Sequence, residues 1–284
     1  MILLVGLLIV FGSIVVGYTM HHGDLAVLVQ VSEFVIIGGA GLGALIAANK
    51  PEVTKGVIVG MFGLLKSDPY SKKAFQELLQ ALYAIFYLAR KDGLVGIEPH
   101  VENPETSEIF GQYKLFMVRH HGVELLCDTM KVLLTGAVED HHLAEILDAD
   151  LESHEDEALE VPHAVTTVGD AMPGFGIVAA VLGVIITMGK IGGSPEVIGK
   201  SVAAALVGTF VGILLAYGVF QPIGNAMQAR VQGELSYLAC IRTALLSFAR
   251  GDSPMTSVEF ARRNIPPHDR PSFKELEDMV KKRA

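Results

Sequence analysis

The side chains best equipped for metal binding or catalysis are ten histidines and two cysteines, and their spacing argues against both uses. His120-His121, His141-His142 and His154 stand near acids, yet no cysteine–histidine spacing of a zinc site accompanies them. They read as exposed histidines on helices, with no metal and no cofactor. Cys127 and Cys240 lie singly in polar stretches, as small core residues of a reducing compartment rather than a disulfide framework. Phe34-Val-Ile-Ile-Gly-Gly-Ala-Gly-Leu-Gly-Ala44 imitates a strand entering a dinucleotide-binding glycine turn. Its apolar run continues without a polar helix face, so Gly39 and Gly43 are read as a small-residue packing surface. No Walker lysine loop, serine elbow or His-Glu-x-x-His is present. The chain therefore does not read as an enzyme, and a net charge of −9 excludes nucleic acid as a natural partner.

The elements that carry these residues are long apolar blocks. Hydrophobic residues make up 51% of the chain and charged ones 19%, and the charge lies between the blocks. About 20 apolar residues cross a bilayer as a helix. Four stretches qualify: 1–20, Val31 to Asn49, Ala171 to Gly189, and Ser201 to Ala229, where Pro222 is expected to mark a bend or exit. The first is not read as a signal peptide: it has no basic n-region, is too long, and no Ala-x-Ala follows. Of 22 Lys and Arg, none lies in 1–49, and only Lys190 and Lys200 separate the last two spans. The positive-inside rule then places both termini and the central segment in the cytoplasm, and the loops 21–30 and 190–200 outside. The fold class is all-α: transmembrane helices 1 and 2 in 1–49, a helical cytoplasmic domain in 50–168, transmembrane helices 3 and 4 in 169–223, and a cytoplasmic helix and tail in 224–284.

In the central segment, Phe75, Leu78, Leu79, Leu82, Ile85 and Phe86 have helical spacing up to a stop at Gly93. Ser107 to Leu134 is expected to continue as helix. Glu139 to Glu160 holds ten acidic residues with Leu143, Ile146, Leu147 and Leu151 as an apolar stripe, a solvated helix with one buried edge. Ser272-Phe-Lys-Glu275 reads as a capping box. Arg90 and Glu98 bracket a glycine-containing turn. Arg90 either stabilises its own helix dipole or forms with Glu98 an exposed charge pair for docking a partner.

Spans three and four are informative for what they lack. Ion passage through a membrane ordinarily uses a carboxylate or histidine within it, and neither span has one. Asp170 stands at the cytoplasmic edge of span three and Glu33 near the outer end of span two. Any carrier group is therefore expected from a partner. Ala204, Gly208, Gly212 and Ala216, with Gly176 and Ala180, form smooth faces. These faces either pack within the bundle or enclose a helix of another chain. Thr187, Thr209 and Tyr217 are the notable polar groups inside these spans.

Several runs carry a specific resemblance: Val-Gly-Asp170-Ala-Met-Pro173-Gly-Phe-Gly-Ile-Val-Ala-Ala180, Leu206-Val-Gly-Thr209-Phe-Val-Gly-Ile-Leu-Leu-Ala-Tyr217-Gly followed by Pro222, Glu102-Asn-Pro104 with Ser107-Glu-Ile-Phe110, and Arg270-Pro-Ser-Phe273. Over nearly the whole chain the sequence resembles the MotA family of flagellar motor stator subunits, within the MotA/TolQ/ExbB proton channels. The resemblance implies a five-subunit ring in the bacterial inner membrane around two copies of a MotB-type partner, whose transmembrane aspartate carries the ion. It implies that the ring turns and pushes the rotor protein FliG through Arg90 and Glu98. Pro173 and Pro222 would couple ion passage to movement, with Asp170, Ala180, Gly208, Thr209 and Tyr217 on the ion pathway. Lys91 adds a charge to the rotor-facing turn, and Gly96 is expected to loosen it. Sodium-driven relatives carry threonines at positions matching Ala180 and Gly208. Sodium prefers several oxygen ligands and only Thr209 supplies a hydroxyl, so protons are the expected ion. The alternatives are an ExbB- or TolQ-like subunit, which would have three spans, and a membrane scaffold without ion flux.

Overall fold

The computed structural model describes residues 2–136, 140–190 and 192–281. Glu139, the first acid of the expected acidic helix, Met1 of the first span and Ile191 of the second outer loop lie outside them. The described residues are helical, with no strand among them. The helices are α1 (Ile2–Met20), α2 (Leu25–Leu28), α3 (Val31–Ala48), α4 (Pro51–Gly63), α5 (Lys72–Asp92), α6 (Glu98–Glu102), α7 (Lys114–Met117), α8 (His120–Leu134), α9 (Asp140–Met188), α10 (Pro195–Leu215), α11 (Gln221–Ala249), α12 (Pro254–Asn264) and α13 (Phe273–Lys281). Four stretches are long and apolar enough to span a membrane: Ile2–Met20, Leu25–Ala48, and parts of His141–Met188 and Pro195–Ala249.

The chain forms two compact units. One comprises Met1–Ser67 and Glu157–Ala229, the other Asp68–Asp156 and Arg230–Ala284. Both α9 and α11 supply residues to each.

In the first unit, every described residue of α1 keeps some exposure, as befits a helix whose surroundings are lipid or another chain. The inner face of α3 is Glu33, Ile37, Gly41 and Leu45, one residue per turn. This corrects the expectation for its glycines. Gly41 is the packed one: an added Cβ would stand 2.3 Å from Met172 Cε, while Gly39 and Gly43 face open space. They sit off the i, i+4 row that includes Ile37, which is why a glycine count alone misassigned them. At Pro222, where a bend or exit of span four is expected, the helix itself does not stop: α10 runs through a π-helical turn at Ala216–Phe220 directly into α11. The Gln221 N–H bonds the Ala216 carbonyl, five residues back. Pro222 has no N–H to give Gly218, and the widened turn accommodates that missing bond without a break.

The second unit has a conventional apolar core. The whole predicted face of α5 is buried, with Leu78, Leu79, Leu82, Ile85 and Phe86 fully inaccessible. Each such side chain contributes about 1.5–3 kcal/mol. Gly93 ends α5 at φ +81°, the left-handed region that favours glycine. Phe86 stacks on Phe248 of α11 with ring centroids 4.4 Å apart. Leu143 and Leu147 of α9 are buried while Ile146 is exposed, giving the expected single buried edge. Both cysteines are buried and free, and burial pushes the Cys127 thiol up to about 12. Ser107 to Leu134 is not one helix. The Ser107 hydroxyl accepts from the Phe110 N–H, short turns follow, and α8 starts only at His120. Phe110 and Phe116, both fully buried and 5.6 Å apart by centroid, need the irregular path to reach the core together.

Candidate functional site

Within the first unit the site is an antiparallel seam between α9 and α10. Its close approach follows from four small residues. A Cβ added at Gly176 would stand 2.7 Å from the Gly208 carbonyl oxygen and 3.1 Å from Gly212 Cα. One at Gly212 would stand 2.6 Å from the Met172 carbonyl oxygen, and one at Gly183 2.6 Å from Ala205 Cβ. At Gly208 the limits are Ala179 Cβ at 3.0 Å and the Ala180 amide nitrogen at 3.1 Å. Backbone atoms dominate these contacts, so the seam has little room to yield. Of the two readings of the small-residue faces, packing within the chain is the one Gly176, Gly208 and Gly212 satisfy. The remaining surfaces of these helices, with Ile177, Val181, Leu206, Ile213 and Tyr217, are exposed.

The seam brings Ala180 and Gly208 together, with Thr209 half-buried beside them in sequence. Pro173 and Pro222 are half-buried as well, and Asp170 is exposed. The prolines remove the N–H partners of the Gly169 and Gly218 carbonyls, so each leaves a weakened point in its helix. Gly169 packs directly on Phe220: an added Cβ would lie 2.8 Å from Phe220 Cβ. The π turn thus lies against the stretch of α9 that Pro173 loosens. Gly224 next to Thr166, at 2.7 Å from its hydroxyl by the same measure, continues the close contact.

One residue on this surface was underrated by the sequence. Glu33 is 5% exposed, and its Oε2 has no hydrogen-bond partner. The same oxygen would stand 2.6 Å from a Cβ at Gly208. The signal was present: Glu33 lies four residues before Ile37 and eight before Gly41, in phase with the buried face of α3.

In the second unit, Arg90 stands exposed in the last turn of α5, as both readings of its sequence context require, and it also makes contacts the sequence did not show. Its guanidinium donates to the Asp252 carbonyl at 2.9 Å and to the Gly251 carbonyl, and lies 5.7 Å over the Phe248 ring. From the end of its own helix it closes off the turn after α11. Glu98 is exposed at the start of α6, and so is Lys91. Gly96 tightens the intervening turn instead of loosening it, because an added Cβ would come within 2.9 Å of Asp92 Cβ. His121, His154 and Glu234 converge from α8, α9 and α11. His121 Nδ1 lies 3.1 Å and His154 Nε2 3.4 Å from one Glu234 oxygen.

The N-terminal motility protein A profile matches residues 4–93, and that of the MotA/TolQ/ExbB proton channel family matches residues 121–239. Motility protein A of Salmonella typhimurium is 36% identical over 99% of this chain and 95% of its own length.

The chain belongs to the MotA family.

Chemotaxis protein LafT of Vibrio parahaemolyticus is 33% identical over 97% of this chain and 96% of its own. Two solved structures share the MotA fold at 20% identity. The C. jejuni MotAB structure has a TM-score of 0.77 over 95% of this chain and 98% of that one. The flagellar MotAB stator complex from Bacillus subtilis has 0.71 over 97% and 98%. The N-terminal match, together with four candidate spans, favours MotA over the three-span ExbB and TolQ subunits.

Proposed function

We propose that this chain is the ring-forming stator subunit of a bacterial flagellar motor. With a MotB-type partner it conducts protons across the inner membrane and converts their flow into torque on FliG. The partner supplies the transmembrane aspartate, and five copies of this chain surround its helices. Both termini and the second unit lie in the cytoplasm.

The observation that carries this reading is the pairing of two proline-weakened points, Gly169–Pro173 and Gly218–Pro222, across one close contact. Both lie on helices that run without interruption into the residues of the second unit. A protonation event beside them can shift backbone geometry there, and the helices that carry the two points continue into the second unit, α9 by way of a further proline at Pro162. Asp170, at the same level of α9, and Tyr217, exposed in the π turn, face the partner's side of the pathway in this reading. Arg90 and Glu98 meet the rotor.

Proton coupling follows from the seam. Ala180 and Gly208 bring no side-chain oxygen of their own, and beside them stand only the Thr209 hydroxyl and one Glu33 oxygen, too few ligands for sodium. Cells relying on this chain are expected to swim with the sodium gradient collapsed and the proton gradient intact; paralysis there overturns proton coupling. Co-purification with a MotB-type partner and mass determination of the complex tests the assembly. A chain that forms no complex would defeat it.

A further inference from the structure

A carboxyl group inside a membrane bundle is costly unless it is paired or works. Glu33, on the second span, is buried with one oxygen unpaired. That oxygen occupies the place a side chain at position 208 would fill. Its immediate surroundings are the Gly208 backbone, with the Ala179 methyl on the far side of the same spot. The neighbouring elements offer it no salt-bridge partner. On α10, Lys200 bonds Glu196 at 2.8 Å. Asp24, before α2, accepts from the Ala26 N–H at 2.9 Å. Glu52 and Lys55 of α4 belong to the other end of α3. Between Ala171 and Met188, α9 has no titratable residue. Among the described residues, the neighbouring Ser32 side chain hydrogen-bonds it.

We propose that Glu33 is a proton-binding site of this subunit, held by α3 against the bare backbone of Gly208 on the ion pathway. The inference rests on the stator reading and deepens it: the chain contributes an acid of its own besides the one its partner brings. The ligand is a proton because the place admits little else. A hard metal cation needs several oxygens around it, and here a single unpaired oxygen lies against glycine and alanine. A proton needs one oxygen and no coordination shell. Binding is transfer of a proton to the Glu33 carboxylate, and release returns it to water or to the next acid on the route. Gly208 then has two roles, close approach to Ala179–Ala180 and a seat for the carboxyl. A threonine substituted there would displace Glu33 in the act of adding an oxygen ligand.

The test uses the full-length chain purified with its MotB-type partner and reconstituted in vesicles. Proton flux and infrared difference spectra of the carboxyl stretch on a pH step are recorded for the unsubstituted complex, Glu33→Gln and Glu33→Asp. The expected result is a carboxyl band absent from Glu33→Gln while the partner's remains, and a proton flux reduced at least tenfold. Glu33→Asp should retain a displaced band and part of the flux. If Glu33→Gln fails to assemble, Glu33→Asp decides, and an unaltered spectrum overturns the proposal. Unchanged spectrum and flux in Glu33→Gln overturn it too, and leave the stator reading intact. An unsubstituted complex that conducts sodium and no protons would instead sink the proton-coupled reading on which this one rests.

Discussion

Gly176 and Gly39 sit on two apolar helices of the same unit, and they answer to different constraints. At Gly176 a methyl group would meet the Gly208 carbonyl oxygen at 2.7 Å, and backbone cannot step aside. Gly176→Ala is expected to destabilise by about 1–3 kcal/mol, the usual cost of overpacking. At Gly39 nothing lies within 4 Å, so Gly39→Ala should change stability by no more than about 0.5 kcal/mol. Thermal unfolding of the purified complex in detergent compares the two; equal melting points would show that the seam is looser than described. Arg90 makes a related point about charge. Both Arg90 and Glu98 are exposed, and Arg90 in addition bonds the carbonyls after α11. A motility defect on replacing Arg90 therefore mixes stability with rotor contact, and one on replacing Glu98 does not.

At the scale of elements, α13 is the clearest case of local sequence dictating structure. Ser272 and Glu275 form the expected reciprocal cap: the Ser272 N–H donates to the Glu275 carboxylate at 2.6 Å, and the Glu275 N–H to the Ser272 hydroxyl at 3.2 Å. Lys72 of α5 donates to the same carboxylate at 2.9 Å. The Ser272 N–H, then the Lys72 ammonium, hold the Glu275 carboxyl down to about 2. A carboxyl depressed on folding stabilises above its unfolded pKa, roughly 4.3, and that contribution is lost as pH falls towards 2. Amide protection factors in α13, taken against the intrinsic exchange rate at each pH, should therefore fall between about pH 4 and 2 in the unsubstituted protein. In Ser272→Ala they should already be lower at neutral pH. A pH-independent protection factor would contradict the cap. The break between Ser107 and His120 shows the opposite balance: there the burial of Phe110 and Phe116 overrides a helical pattern.

At the scale of the whole chain, the π turn is the feature that joins the apolar span of α10 to α11 without interruption. Pro222→Ala restores an N–H that can reach the Gly218 carbonyl, and the turn should relax to ordinary α-helix. That shifts every later residue of α11 about its axis. Assembly in the membrane should persist while swimming is lost, read by co-purification with the partner and by tracking cells. Normal swimming would mean the turn has no part in coupling.

Four spans, the buried face of α5, the acidic helix edge and the terminal cap were legible in the sequence because each depends on periodicity or on neighbours a few residues away. The family resemblance was legible for the same kind of reason, as contiguous runs. What only the tertiary structure decided is which glycines are packed, that Pro222 is absorbed by a π turn, that Arg90 serves the end of another helix, and that Glu33 rests on Gly208. These depend on contacts between residues up to 175 positions apart (Glu33 and Gly208). Hydrophobic patterning fixes which side of a helix is apolar, but not which atoms of a distant helix come to lie against it.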